Sequence, residues 1–254
     1  MLNPGQLPEL HSEELATYAW QLDLPGFSET AQRKLKAATV LISRVGGIGG
    51  LVALQLAAAG IGRLVLASGG VLQPSDLNRQ LLQTHDHLGQ PRMDNILRRI
   101  QALNPRISLQ GHPENISDTN AERLVGQADI VVDAAPLFEE RFALNRAAVR
   151  LRRPMVECAM YAWEARITTL IPPATGCLAC LHPEAPPDWT RKFPVLGAVS
   201  GTVACLAATE VVKLITGTGA PLANILLSMD LASMQFRRFS WKPNPLCAVC
   251  STQS

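Results

Sequence analysis

The sequence predicts an α/β protein with a Rossmann-like, doubly wound, mostly parallel sheet and a C-terminal lobe stapled through cysteines. Three observations predict it. A short β-branched run at 38–43, ATVLIS, enters a glycine cluster, RVGGIGG, and an apolar helix follows without a break. A second run, RLVLA at 63–67, returns after that helix at the spacing of a βαβ crossover, which is right-handed and makes parallel neighbours. Two C-x-x-C pairs, Cys177 with Cys180 and Cys247 with Cys250, lie in the C-terminal third.

At 254 residues and 47% hydrophobic content, the chain can bury a sizeable core. Its 23 basic and 21 acidic residues leave a formal charge of +2, with no excess for nucleic acid or an anionic membrane to read. The opening residues carry Glu9, Glu13, Glu14 and Asp23 and lack the basic-then-apolar order of a signal peptide. The apolar stretch at 37–42 is too short for a bilayer, and the one at 203–215 is interrupted by Thr209, Glu210 and Lys213. The expectation is a cytoplasmic protein with reduced cysteines, bound to neither nucleic acid nor membrane.

Taken in order, residues 11–35 read as helix, turn, helix, broken at Pro25-Gly26. The strand at 38–43, the helix at 51–62 ended by Gly60 and Gly62, and the strand at 63–67 follow. An amphipathic helix at 89–102 stops at Asn104-Pro105, an alternating strand begins at 107, and a further strand, ADIVV at 128–132, ends at Asp133. From Pro154 the pattern changes to short strands, MVECAM and ARITTLI, then Pro172-Pro173 and the proline-rich PEAPPDW. An apolar helix at 199–216 and a hairpin-like close, NILLSMDLASMQFRRFSW, complete one domain over 1–254. It divides into a helical 1–36, a nucleotide-binding core at 37–153 and a cysteine-bearing 154–254.

A two-residue gap lets both thiolates of a pair face one ion, and two pairs complete the tetrahedral shell of a closed structural zinc site. Cys177, Cys180, Cys247 and Cys250 are therefore the expected zinc ligands. The alternative is two unrelated redox or buried pairs, although a redox motif should follow a strand and open a helix. Cys158 and Cys205 lie in apolar surroundings and are expected in the core. His182 is expected at the surface or behind the ligands rather than on the metal.

Gly46, Gly47 and Gly49 stand between strand and helix, where backbone amides and the helix dipole can receive a phosphate. A glycine turn used only for packing has the same sequence. Further segments recur in order: LPGFSETAQRKLKAATVLI, QLAAAGIGRLVLA, PSDLNRQLL, ALNP, VVDAAPLFEERFALN, the cysteine pairs and GAVSGTVACLAATEVVKLITG. Together they span almost the whole chain, which resembles the ThiF/MoeB/HesA family of ubiquitin-activating-enzyme-like adenylyltransferases.

That resemblance implies attack of the C-terminal glycine carboxylate of a small ubiquitin-like or sulfur-carrier protein on the α-phosphate of ATP, with magnesium. It also implies a dimer, of identical chains or with an active paralogue. Gly46, Gly47, Gly49, Arg79 and Arg92 are the implied nucleotide contacts, and Arg79, Arg92 and Asp133 are what remains of the catalytic set. The departures are numerous. Arg44 replaces the first glycine of the loop, Ser68 the ribose-binding acid, Gly70 the next aspartate and Pro136 the magnesium-binding aspartate. Trp20 stands for the N-terminal arginine implied to reach the neighbouring subunit, and Arg92 for a lysine. Thr190 occupies the place of a reactive cysteine, so thioester chemistry on that loop is not expected.

Losing one preorganised transition-state contact commonly costs about 10²–10³ in rate, and these losses act together. The leading expectation is thus a carrier-binding or scaffolding relative with weakened or lost adenylation. The alternative is an active adenylyltransferase in which Arg44 and Arg92 bind phosphate and Glu139, Glu140 and Asp76 recruit magnesium, unless those acids are merely a solvated face. A nicotinamide-dependent oxidoreductase, with Ser68 tolerating a phosphorylated ribose, leaves the cysteine pairs unexplained.

Overall fold

A computed structural model describes residues 7–251. Strands β1 (Thr39–Ser43), β2 (Arg63–Ala67), β3 (Ser108–His112), β4 (Ile130–Asp133) and β5 (Met155–Tyr161) pair in parallel. Strands β6 (Glu164–Leu170), β7 (Ile225–Asp230) and β8 (Gln235–Ser240) extend the sheet antiparallel. The order is β3-β2-β1-β4-β5-β6-β7-β8, so the chain reverses direction across the sheet between β1 and β4.

Successive side chains of a strand face opposite sides, and β1 uses both. Val40 and Ile42 enter one core with helices α3 (Glu29–Ala37), α4 (Gly47–Ala58), α5 (Arg92–Leu103) and α9 (Gly197–Thr216). Leu41 enters the other, with α6 (Ala121–Val125) and α7 (Phe138–Arg150). Two short helices, α1 (Ser12–Thr17) and α2 (Ala19–Leu22), precede α3, and the single turn α8 (Leu178–Leu181) follows β6. The expected doubly wound, mostly parallel sheet is present.

Local chemistry sets the boundaries. Ser28 Oγ caps α3 by accepting the Ala31 amide at 3.3 Å. Asn104 ends α5 and donates to the Ala57 carbonyl at 2.9 Å, tying the ends of α5 and α4 together. Gly217, at φ 78°, closes α9 as a left-handed cap. By length and composition α9 is apolar enough to cross a membrane, but here it packs on α3, α4, β5 and β6. Its buried Glu210 accepts from Leu222 N at 2.7 Å and Thr169 Oγ1 at 2.5 Å and pairs with Lys213.

Two expectations need correction, and two helices have no counterpart in the sequence reading. Helix α4 begins at Gly47, inside the glycine cluster, rather than at 51. Helices α6 and α7 had no sequence reading, because α7 is buried on nearly every face and leaves no apolar stripe. Cys205 is exposed, not core: Val203, Ala204, Ala207 and Val211 line the buried face of α9, and Cys205 with Thr209 falls on the other. Cys158 is buried as expected, its thiol donating to the Asp133 carbonyl at 3.2 Å.

Candidate functional site

Where β1 and β4 run side by side but lead to opposite faces, a crevice opens beyond their C-terminal ends. Ser43 holds its two edges: its hydroxyl donates to the Val132 carbonyl at 3.2 Å and accepts the Ala134 amide at 3.1 Å. A cavity of about 430 Å³ occupies this crevice. Gly46, Gly47 and Ile48 place the N-terminus of α4 on its wall, and Ser68 and Pro136 also line it.

Arg44 takes the tight turn at the start of the glycine loop. That residue adopts the left-handed turn itself, at φ 60°, and its amide donates to Ala67 O at 2.7 Å. Gly49 is required for helix–strand contact, since a Cβ there would strike the Arg44 carbonyl and Ile42. A Cβ on Gly47 would meet the Arg79 side chain at 3.1 Å.

Four guanidiniums, those of Arg44, Arg79, Arg92 and Arg191, line one end of the cavity. Arg44 grips Glu140 through two bonds, Nε to Oε2 at 2.7 Å and Nη2 to Oε1 at 2.5 Å. Arg79 donates to Ser75 O at 2.8 Å, Asn78 Oδ1 at 3.0 Å and Asp76 Oδ1 at 3.2 Å. Arg92 is buried; it donates to the Gly69 carbonyl and lies 4.0 Å from Asp76 Oδ2, but its Nε has no hydrogen-bond partner. Burial pulls the Arg92 pKa down, Asp76 opposes this, and Arg44, Arg191 and Arg79 add repulsion. Arg191 is lowered by burial first and then by Arg44 and Arg79.

Asp133 does not line the cavity. It is fully buried behind the wall, where Oδ1 accepts Ala135 N at 3.1 Å and Oδ2 faces Arg141 Nη1 at 3.4 Å without a hydrogen bond. Burial raises its pKa to about 6 against the pull of Arg141. Arg141 donates to Ala135 O at 2.7 Å, Glu157 Oε1 at 2.6 Å and Cys158 O at 2.7 Å. Burial opposes the Glu157 charge, but Arg166 and Arg141 hold its pKa low. The result is a buried knot in which Arg141 braces β4 against β5.

The loop at 183–196 folds over the cavity. Trp189 donates through Nε1 to the Pro136 carbonyl at 2.7 Å and meets Phe138 edge-on at 5.6 Å and Phe193 at 5.3 Å. Tyr161 stacks on Phe193 at 6.3 Å. The sequence marks this loop as proline-rich and singles out Thr190 in it, but not Arg191 or Trp189, nor Arg141 on α7. His182 meets Phe138 in the cavity wall, away from the cysteine sulfurs. Thr190 is exposed and bonds Lys192 O at 3.0 Å. Trp20, on α2, is 90% exposed and lies outside the cavity lining.

The four expected metal ligands come together. All four sulfurs of Cys177, Cys180, Cys247 and Cys250 lie within 4.8 Å of one another, with Cys177–Cys247 at 3.7 Å and Cys180–Cys250 at 3.5 Å. A zinc–sulfur distance of about 2.3 Å gives a tetrahedral sulfur–sulfur edge of roughly 3.8 Å, so the cluster could hold such an ion. Cys177 stands at the N-cap of a helix, the single turn α8, the position a redox motif would take, but the second pair lies against it. Leu178 N donates to Asn145 Oδ1 at 2.9 Å, docking the cluster onto α7.

A crevice at the switch point of a doubly wound sheet defines an α/β protein of the Rossmann-like class. The chain belongs to the ThiF family, whose model matches residues 18–249. It is 48% identical to Protein HesA of Leptolyngbya boryana over 97% of this chain and 89% of that protein. It is 34% identical to the sulfur carrier protein adenylyltransferase of Thermus thermophilus, over 95% of this chain and 92% of the other. Among solved structures, E. coli MccB with succinimide superposes with a TM-score of 0.79 at 27% identity, covering 88% of this chain and 69% of that one. MccB with AMPCPP and MccA also gives 0.79, at 25% identity over 94% and 72%.

Proposed function

We propose that the chain binds a nucleotide in the β1–β4 crevice and engages the C-terminal tail of a small ubiquitin-like or sulfur-carrier protein, with adenylation of that tail weakened or lost. The carrying observation is that Gly46, Gly47 and four guanidiniums line one cavity while the carboxylates beside them are occupied: Glu140 by Arg44 and Asp76 by Arg79. Arg79, Arg92, Gly46 and Gly47 are the nucleotide contacts in this reading, with Gly49 shaping the loop. Asp133 acts through the buried Arg141 knot. The relative named as a sulfur carrier protein adenylyltransferase supports the substrate class, and the MccB complex with AMPCPP and MccA supports joint occupancy by nucleotide and peptide.

Zinc held by Cys177, Cys180, Cys247 and Cys250 serves as a structural staple between the α8 turn and the chain's end. A four-thiolate metal cluster is the use of paired cysteines expected in a reducing, cytoplasmic setting. A dimer, of identical chains or with an active paralogue, follows from the family resemblance.

The test is ATP–pyrophosphate exchange in the presence of a carrier with a C-terminal glycine, run beside a direct binding titration of that carrier. Binding with only trace exchange is the expected result. Rapid exchange abolished by Arg79→Ala would favour the second reading, an active enzyme, which the cluster of guanidiniums supports as a source of transition-state charge stabilisation.

A further inference from the structure

The family's chemistry calls for magnesium, and the donor set here does not fit it. Magnesium is held by carboxylate oxygens, with substrate phosphates and water completing its octahedron. Glu140 spends both oxygens on Arg44. Asp76 gives Oδ1 to Arg79 and Oδ2 to the Gln73 amide at 3.1 Å, with Arg92 facing it. Glu139 is exposed and outside the cavity lining, Asp133 is sealed behind it, and position 136 is proline. Glu164 does line the cavity, but on β6, three strands away from β1 in the sheet. The acids suggested by sequence as magnesium ligands are thus spent on guanidiniums or placed elsewhere.

The same end of the cavity carries an excess of positive charge. Four guanidiniums face two carboxylates, and the buried Arg92 Nε lacks an acceptor. Gln80, also buried in the wall, leaves Oε1 without a partner. Arginine forks bind phosphate oxygens in pairs, and the α4 N-terminus adds its amides.

We infer that this pocket binds the oligophosphate of its nucleotide without a divalent metal, the guanidiniums of Arg44, Arg79, Arg92 and Arg191 supplying the neutralising charge. This rests on the nucleotide-binding reading above and specifies the form of the ligand. Magnesium would remove negative charge from the triphosphate and present a cation to a wall of cations, so the metal-free anion is the tighter ligand. Arg191 comes from the loop over the cavity, so that loop supplies one of the phosphate contacts.

The experiment is calorimetric titration of the full chain with ATP and, separately, with inorganic tripolyphosphate, in EDTA and in excess magnesium at matched ionic strength. ATP is expected to bind in EDTA at least as tightly as in magnesium. Arg191→Ala is expected to weaken binding of both ligands in EDTA about tenfold, the loss of a charge-assisted contact, with an unchanged far-UV spectrum. Binding of ATP only when magnesium is present overturns the inference, as does absence of binding by both ligands under both conditions. Tripolyphosphate binding in EDTA without any ATP binding would keep the metal-free cradle and remove the nucleotide reading instead.

Discussion

Arg44 and Glu140, 96 residues apart in sequence, close on each other through two parallel bonds at 2.7 and 2.5 Å at the mouth of the β1–β4 crevice. The pair joins the glycine loop to the first turn of α7. Both side chains are largely shielded, 14% and 7% exposed. Breaking one partner of a shielded pair costs about 3 kcal/mol, while relief of the left-handed backbone at position 44 returns about 1 kcal/mol. Arg44→Gly should therefore lose about 2 kcal/mol in a urea melt, and adding Glu140→Ala should recover most of that loss. Strictly additive single and double variants would show that the two groups are not coupled.

Asp133 makes stability fall as pH rises. Its folded-state pKa is raised to about 6, above the unfolded value near 3.9, so between about pH 4 and 6 the native state holds the proton more tightly. The native state is accordingly favoured by this group below that window and loses the contribution as pH climbs through 6. Asp133→Asn should flatten that part of the profile relative to the wild-type chain when denaturant midpoints are compared at pH 5 and 7.5. An identical slope in both proteins would rule out a raised carboxyl at this position.

The loop over the cavity is fastened by Trp189, whose ring and Nε1 hold it to Phe138 and to the Pro136 carbonyl. Trp189→Ala should release residues 183–196 and speed tryptic cleavage after Arg191 and Lys192 several-fold, with little change in global stability. Equal cleavage rates in the two proteins would mean the loop is held by other contacts.

The thiols should separate into three groups. With metal bound, a maleimide is expected to label Cys205 readily and Cys158 hardly at all, since one is exposed and the other buried. Chelation should then open Cys177, Cys180, Cys247 and Cys250 to the reagent and lower the thermal midpoint by several degrees. Metal quantification should give one zinc per chain; its absence, or cluster thiols indifferent to chelation, would contradict a structural ion.

Much of this architecture was legible because its signals are local. The run 38–43, the glycines and the run 63–67 announced β1, α4 and β2 through period and turn chemistry alone, and the cysteine spacing announced the cluster. What escaped depends on contacts distant in sequence. Arg44 could be seen as a departure, but nothing local named Glu140 as its partner, so the acids near position 140 were read as candidates for magnesium. Cys205 was misplaced because α9 is apolar on both faces, which hides the inward side from a periodicity argument. The proline-rich loop disclosed its irregularity but not the surface it covers, and so Trp189 and Arg191 went unremarked.

The hydrogen bond from Trp189 reaches the main chain of residue 136, not its side chain. The latch is therefore indifferent to which amino acid occupies that position, and the covering loop imposes no selection on it. A carboxylate placed at 136 by mutation would leave the acceptor of that bond in the main chain, so the roof and the chemistry of the residue beneath it can be varied separately.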